Sequence, residues 1–274
     1  MNARLPRNAL VVLGAMLVAA ALAPWLAPYA PSAQLDPATL AWRPPSLAHP
    51  LGTDSFSRDV LSRMLHGARS TLGVAVLAVA VSLTLGTLVG ALAATARGVV
   101  DALLMRLTDA LLAIPRLLLL LLVVAGAGTL DLAPLALVLG ATGWMTTARL
   151  VRQETARLLA TEHLRGARVL GVPWPRLLRR HVLPGLAPTL AVAATAAFAA
   201  AVPLESGLSY LGLGVRTPLP SWGNLLADAE SLPLQHWWLI VFPTLAIATT
   251  VLAANRLAEA IADGMQRDVD EGTR

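Results

Sequence analysis

Six separate stretches of this sequence are apolar enough, over a bilayer's thickness, to be read as crossing one. A spanning helix needs about 20 mostly apolar residues, because no water inside the hydrocarbon is available to satisfy backbone N–H and C=O groups. The stretches run from about Ala9 to Trp25, Leu72 to Ala96, Ala102 to Ala125, Leu132 to Ala148, Leu186 to Leu204 and Trp237 to Ala254. Composition agrees: 56% of residues are hydrophobic and 14% charged, with a mean hydropathy of +0.67. A soluble domain carries about 25% charged residues. The expected fold class is therefore all-α, a polytopic membrane bundle of six transmembrane helices. The first stretch, following Arg4 and Arg7, also has the makings of a leader segment.

Arginine placement orients the spans. With an internal amino terminus, Arg4, Arg7, Arg97, the cluster from Arg149 to Arg180, Arg256, Arg267 and Arg274 fall inside. Arg43, Arg58, Arg63, Arg69 and Arg216 fall outside. The excess favours both termini in the cytoplasm. Gly86 and Gly90 form a GxxxG pair suited to close helix packing. Arg106, Asp109 and Arg116 lie in or beside the third stretch, where a charge is a functional candidate; Arg106 and Asp109, three apart on one helical face, are expected to neutralise each other, with a functional role as the alternative.

The chain has no cysteine and no lysine. A P-loop needs its lysine to reach the phosphates, so an ordinary ATP site is excluded, as are cysteine nucleophiles, disulfides and Schiff-base chemistry. The arginines flank apolar spans and form no basic patch with interleaved aromatics, so nucleic acid is not an expected partner. Metal-ligand spacing and a catalytic constellation within the spans are both lacking. An ion-coupled secondary transporter is the competing reading, and it would show internal repeats or acidic residues at mid-span. Asp109 is the main such acid, and no internal repeat stands out.

The segment Thr161 to Pro184, TEHLRGARVLGVPWPRLLRRHVLP, carries the sharpest signal. Thr161 suits an N-cap and Glu162 the positive end of a helix. Gly171 suits the residue that closes it, and Val172-Pro173-Trp174-Pro175 forces a turn before a second short helix. The segment resembles the EAA loop of ABC importer permeases. Arg165-Gly166-Ala167 occupies the EAA position, Gly171 the glycine and Leu183-Pro184 the closing pair. Arg165 replaces the usual glutamate, Glu162 supplies a carboxylate one turn earlier, and His181 stands where a hydrophobic residue is usual. Two further segments resemble the dipeptide/oligopeptide/nickel permeases of the C type. In the first, His49 to Asp54 (HPLGTD, with Gly52, Thr53 and Asp54) precedes Arg58-Asp59-Val60-Leu61-Ser62-Arg63, with Ser57 where the signature has glycine, so a different local turn is expected there. In the second, Leu208 to Gly214 (LSYLGLG, with Gly212 and Gly214) precedes Pro218-Leu219-Pro220-Ser221-Trp222-Gly223.

The resemblance implies a type I ABC importer transmembrane domain over about residues 71–260. A helix and external segment would precede it (1–70), and a cytoplasmic tail would follow (261–274). It implies a bacterial inner-membrane permease for peptides or related small solutes that does no chemistry itself. ATP would sit on two partner ATP-binding subunits, and this chain would bind no cofactor. A second, homologous permease subunit and an extracytoplasmic solute-binding protein would complete the assembly, surrounded by membrane lipid. The 162–184 loop would be the coupling helix that docks in the ATPase. For the two outer segments, a purely structural role and contact with the delivering protein both remain open.

Overall fold

The computed structural model describes residues 6–128, 130–229 and 235–272. Among them all regular structure is helical, apart from an isolated bridge between Thr53 and Asp59. The helices are α1 (Arg7–Ala21), α2 (Ala23–Leu26), α3 (Pro37–Leu40), α4 (Val60–Ala96), α5 (Gly98–Leu112), α6 (Arg116–Ala127) and α7 (Leu132–Ala141). They continue with α8 (Trp144–Leu159), α9 (Glu162–Val169), α10 (Trp174–Leu177), α11 (Leu183–Gly185), α12 (Ala187–Tyr210), α13 (Trp222–Asp228) and α14 (Trp238–Gly272). A π turn, Leu178–Val182, joins α10 to α11.

Of the six apolar stretches, three lie in helices long and apolar enough to cross a bilayer unaided: α4, α12 and the Trp238–Gly264 part of α14. The third stretch is not one straight span. It is broken at Ala113–Pro115 into α5 and α6, which meet at 86°. Pro115 has no N–H to donate, and its ring disfavours helical geometry at Ile114, so the turn falls there. The first and fourth stretches give the shorter apolar helices α1 and α7. α7 halts at Thr142–Gly143, and the chain resumes as the polar helix α8. Helix α1 packs against α4 and α14, where the Thr250 hydroxyl meets the Met16 thioether at 2.9 Å.

α4 is the axis of the bundle. Asp59 caps it by accepting the Ser62 N–H at 2.8 Å, and it ends where Arg97 and Gly98 both take positive φ. Its flank against α7 and α8 is cut away at glycines. A Cβ at Gly86 would lie 2.5 Å from the Thr147 Cβ, and one at Gly90 would lie 2.4 Å from the Ala148 oxygen. From α7, a Cβ at Gly140 would meet the Val81 Cβ at 2.5 Å. The successive contacts advance in the same direction on both chains, so α4 runs parallel to α7 and α8. The GxxxG pair thus has a definite partner surface, as expected where small residues let backbones approach.

The expected Arg106–Asp109 pair is not what forms. Arg149 of α8 reaches across to Asp109, and Arg152 makes a two-pronged pair with Asp101. The parallel α4–α8 contact brings α8 alongside α5, so an arginine from another helix outcompetes the neighbour one turn away. Outward, Leu88, Leu92, Leu103, Leu118, Leu122 and Leu252 are exposed, an apolar mantle suited to lipid tails.

Substituting Gly90 by leucine should therefore unseat α8, lowering the thermal midpoint of the purified protein by more than 5 °C. Gly126→Ala should leave the midpoint unchanged, because a Cβ there meets nothing within 4 Å. A thermal melt in detergent of both variants checks the pair.

Candidate functional site

The chemistry-bearing residues gather at the two ends of α4. At the Val60 end, the segment before the helix folds back under it. Gly52, at φ +80°, passes so close to the Arg43 carbonyl and the Trp238 indole that a Cβ would lie 2.7 and 2.8 Å from them. The Thr53 carbonyl accepts the Trp238 indole N–H at 3.2 Å, and the Thr53 hydroxyl accepts the Arg43 N–H at 2.9 Å.

Asp54 is fully buried and saturated with donors. Its Oδ1 accepts the N–H groups of Phe56 and Arg58, each at 2.9 Å. Its Oδ2 accepts Arg58 Nε at 2.6 Å and Arg63 Nη1 at 2.5 Å. Both guanidiniums also reach Asp228 Oδ2 on α13, Arg63 at 2.7 Å and Arg58 at 3.3 Å. Asp59 faces the other way, holding His49 Nδ1 at 2.9 Å and the Ser62 hydroxyl at 2.8 Å. Buried ions survive when every oxygen and every charge has a partner, and this network is built so.

Ser57, which stands where the signature has glycine, takes φ +57°. It adopts the left-handed turn a glycine would supply. Its hydroxyl accepts the Asp36 N–H at 3.1 Å, which offsets part of the strain. The turn is kept despite the substitution.

The second outer segment packs on the first. Ser221 and Asn224 form a capping box for α13, and the Trp222 indole donates to the Met64 carbonyl of α4 at 3.2 Å. The Trp222 N–H donates to the Thr71 hydroxyl, also at 3.2 Å. Gly223 sits against α12, where a Cβ would fall 2.1 Å from the Ser206 oxygen. Gly212 turns the chain at φ +75°. Gly214 lies over Ser209, whose hydroxyl accepts the Val215 N–H at 2.9 Å and donates to Glu205 at 2.7 Å. The two segments thus pack as one unit, buried from Gly52 to Asp54 and from Pro220 to Leu225, with Gly212 and residues 216–219 exposed.

At the other end, α9 ends as the glycine predicts. Gly171 takes φ +74°, Val172 N–H bonds to the Ala167 carbonyl at 3.1 Å, and Leu170 N–H bonds to the Gly166 carbonyl at 3.0 Å. This is the closure that requires a left-handed residue after the last turn. Leu164 and Ala167 seat α9 on a cluster with Val151, Leu159, Leu177, Val182 and Leu186, against which Ala91 of α4 also packs. Glu162, Arg165 and Gly166 are exposed on its outer side, and a Cβ at Gly166 would meet nothing within 4 Å. Leu183 and Pro184 are exposed as well and open α11. The π turn immediately upstream widens the helix where the Pro184 ring would clash with a carbonyl one turn back. His163 and His181 meet at 3.3 Å, so His181 joins the two halves of the loop.

The sequence-predicted residues therefore form two groups, Gly52–Asp59 with Gly212–Gly223, and Glu162–Pro184. Asp228 and Trp238 complete the first group without any local sequence signal, since their partners lie 165 and 185 residues away. Among the described residues no cluster of side chains fit to hold a metal ion occurs.

Residues 86–269 match the profile of the "binding-protein-dependent transport system inner membrane component" family. The chain belongs to that family. It is 37% identical over 250 residues to a glutathione transport system permease protein of Escherichia coli, covering 91% of this chain and 82% of that one. It is 36% identical over 252 residues to a di/tripeptide transport system permease protein of Pseudomonas aeruginosa, with 90% and 82% covered. With a dipeptide transport system permease protein of Bacillus subtilis the identity is 33% over 270 residues, with 96% and 83% covered. A solved structure of the MetNI methionine ABC transporter, in inward-facing form, superposes with a TM-score of 0.54 at 17% identity. That match covers 74% of this chain and 97% of that one. The fold is that of a type I ABC importer transmembrane domain, and the chain is a membrane permease component. The ion-coupled secondary transporter is set aside.

Removing one partner from a buried ion pair strands the other, at about 3–5 kcal/mol. Arg63→Met should accordingly destabilise the protein by about 3 kcal/mol, seen as a lower denaturation midpoint. The rim pair Arg157–Glu154, half in solvent, should respond to Arg157→Met by less than about 1 kcal/mol.

Proposed function

We propose that this chain is the translocating subunit of an ATP-driven importer for peptides or related small solutes, and that α9 is where the motor attaches. It pairs with a second, homologous permease. Two ATP-binding subunits, carrying the nucleotide this lysine-free chain is not equipped to hold, dock on the 162–184 loop at the cytoplasmic face. A solute-binding protein delivers cargo to the opposite face, where the Gly52–Asp59 and Gly212–Gly223 unit lies. Both termini are cytoplasmic. The identity with permeases named for dipeptides, di/tripeptides and glutathione supports the solute class.

The observation that carries the docking assignment is the two-sidedness of α9. Leu164 is buried in the bundle, while Glu162, Arg165 and Gly166 face outward with open space above Gly166. A short polar helix seated by its apolar side and closed by a fixed glycine turn moves with the bundle as a rigid body. The excess of arginine at this end of the spans supports its assignment to the cytoplasm.

Gly166 and Gly171 separate docking from folding. A Cβ at Gly166 meets no atom within 4 Å, so Gly166→Leu should fold with a melting midpoint no lower than the parent's and lose at least tenfold of the co-purifying ATPase. Gly171→Val forces a branched side chain into the left-handed region, and should lower the melting midpoint as well. Wild-type ATPase recovery with Gly166→Leu would overturn the assignment of α9 as the docking helix.

A further inference from the structure

We propose that the cavity between α4, α8 and α12 is an anion-binding stop on the solute path, in which the Arg116 guanidinium receives a carboxylate of the transported solute. The inference rests on the permease reading above. The cavity, of about 220 Å³, is lined by Arg116, Ser82, Thr146, Thr147 and a face of α12 that includes Ala193 and Ala197. Ser82 lies near the middle of the apolar part of α4, and Ala197 near the middle of α12, so the cavity is at mid-span. The α12 lining is alanine at nearly every position, which leaves the space open.

Two helix breaks converge on the arginine. Arg116 is the first residue of α6, directly after the 86° bend. Gly143 lies at the α7–α8 break, where a Cβ would stand 2.6 Å from Arg116 Nη2. Glycine there leaves the room the guanidinium occupies. Nη2 donates to the Leu139 carbonyl, itself at the end of α7, at 2.9 Å. This fixes one edge of the guanidinium. The buried Nε has no hydrogen-bond partner among the described residues, and neither does the Ser82 hydroxyl. Among the described lining residues Arg116 is the only charged one and none is acidic.

A cation held at mid-span among alanines, with unused donors and no counter-charge, is incomplete alone. A guanidinium presents its donors as a planar fork that matches a carboxylate, and a nearby hydroxyl adds a third donor. The volume is below the roughly 300–1,000 Å³ of sites that enclose a drug-sized ligand. It suits the carboxyl-terminal end of a peptide better than a whole one. In secondary transporters, a different class, broken helices at mid-span likewise bind polar cargo.

This chain has no cysteine, so labelling read on it reports an introduced thiol alone. In the assembled transporter in membranes, Ala196→Cys places a thiol on the exposed α12 lining. Its labelling is followed with an anionic sulfonatoethyl and a cationic trimethylammonioethyl methanethiosulfonate. The anionic reagent should react faster. The anionic-to-cationic rate ratio should fall at least tenfold on adding Arg116→Gln and be kept by Arg116→Lys. A tripeptide with a free carboxyl terminus should slow labelling, and its amide should not. An unchanged ratio in Arg116→Gln, also the result if a partner subunit's carboxylate neutralised the guanidinium, would overturn the proposal, as would a thiol that neither reagent reaches. A ratio governed by Arg116 without protection by the peptide upholds the anion site and removes peptides as the solute.

Discussion

The close seating of α4 against α7 and α8 is the interaction on which the rest of this molecule depends. Lipid tails are as apolar as leucine, so helices inside a membrane gain little by hiding leucines from them. What holds them is contact, and contact requires that side chains be out of the way. Gly86, Gly90 and Gly140 remove them along one seam. From that seam follow the parallel course of α4 and α8, the meeting of Arg149 with Asp109 and Arg152 with Asp101, and the position of α9 below them. The bundle's polar features are arranged around this backbone contact.

The two ends of α4 solve opposite problems. At the Val60 end, charges are numerous and buried, and each is answered: Asp54 by two arginines and two N–H groups, Asp228 by the same arginines. That end is locked. At the Ala96 end the apolar residues are inside, Arg152 pairs with the half-buried Asp101, and Glu162 and Arg165 of α9 face out. A closed network suits a surface that must keep its shape. An exposed polar helix on an apolar seat suits one that awaits a partner.

Much of this was legible in the sequence where the cause is local. Gly171 ends α9 because the turn after a helix needs a left-handed residue, and the glycine announces it. Ser57 misled, since the missing glycine pointed to a different turn and the left-handed one is kept all the same. Apolar length marked α4, α12 and α14. The break in the third stretch was written in Ile114-Pro115, yet the unbroken leucines after it masked the signal. The Arg106–Asp109 pair was misread because helical spacing states which residues could meet and says nothing of competitors from other helices. Asp228 and Trp238 lay beyond reach for the same reason, since no local pattern records a partner 165 or 185 residues distant. The alanines of α12 read as span filler, and their role as a cavity wall emerges only once α4 and α8 stand opposite.

The length of α4 has a mechanical consequence. Its 37 residues, at 1.5 Å per residue, make a rod about 55 Å long, well beyond the roughly 30 Å hydrocarbon layer. It is gripped at the Val60 end by a web of buried ion pairs, and towards the Ala96 end by the Gly86–Gly90 contact with α8, beside which Arg152 pairs with Asp101. Moving together with α8, such a rod would act as a lever pivoting at its Val60 end. Turning it through about 10° would sweep the far tip by roughly 10 Å. No residue along it would need to change conformation, and the Ser82 region, 22 residues from Val60, would move about six-tenths as far.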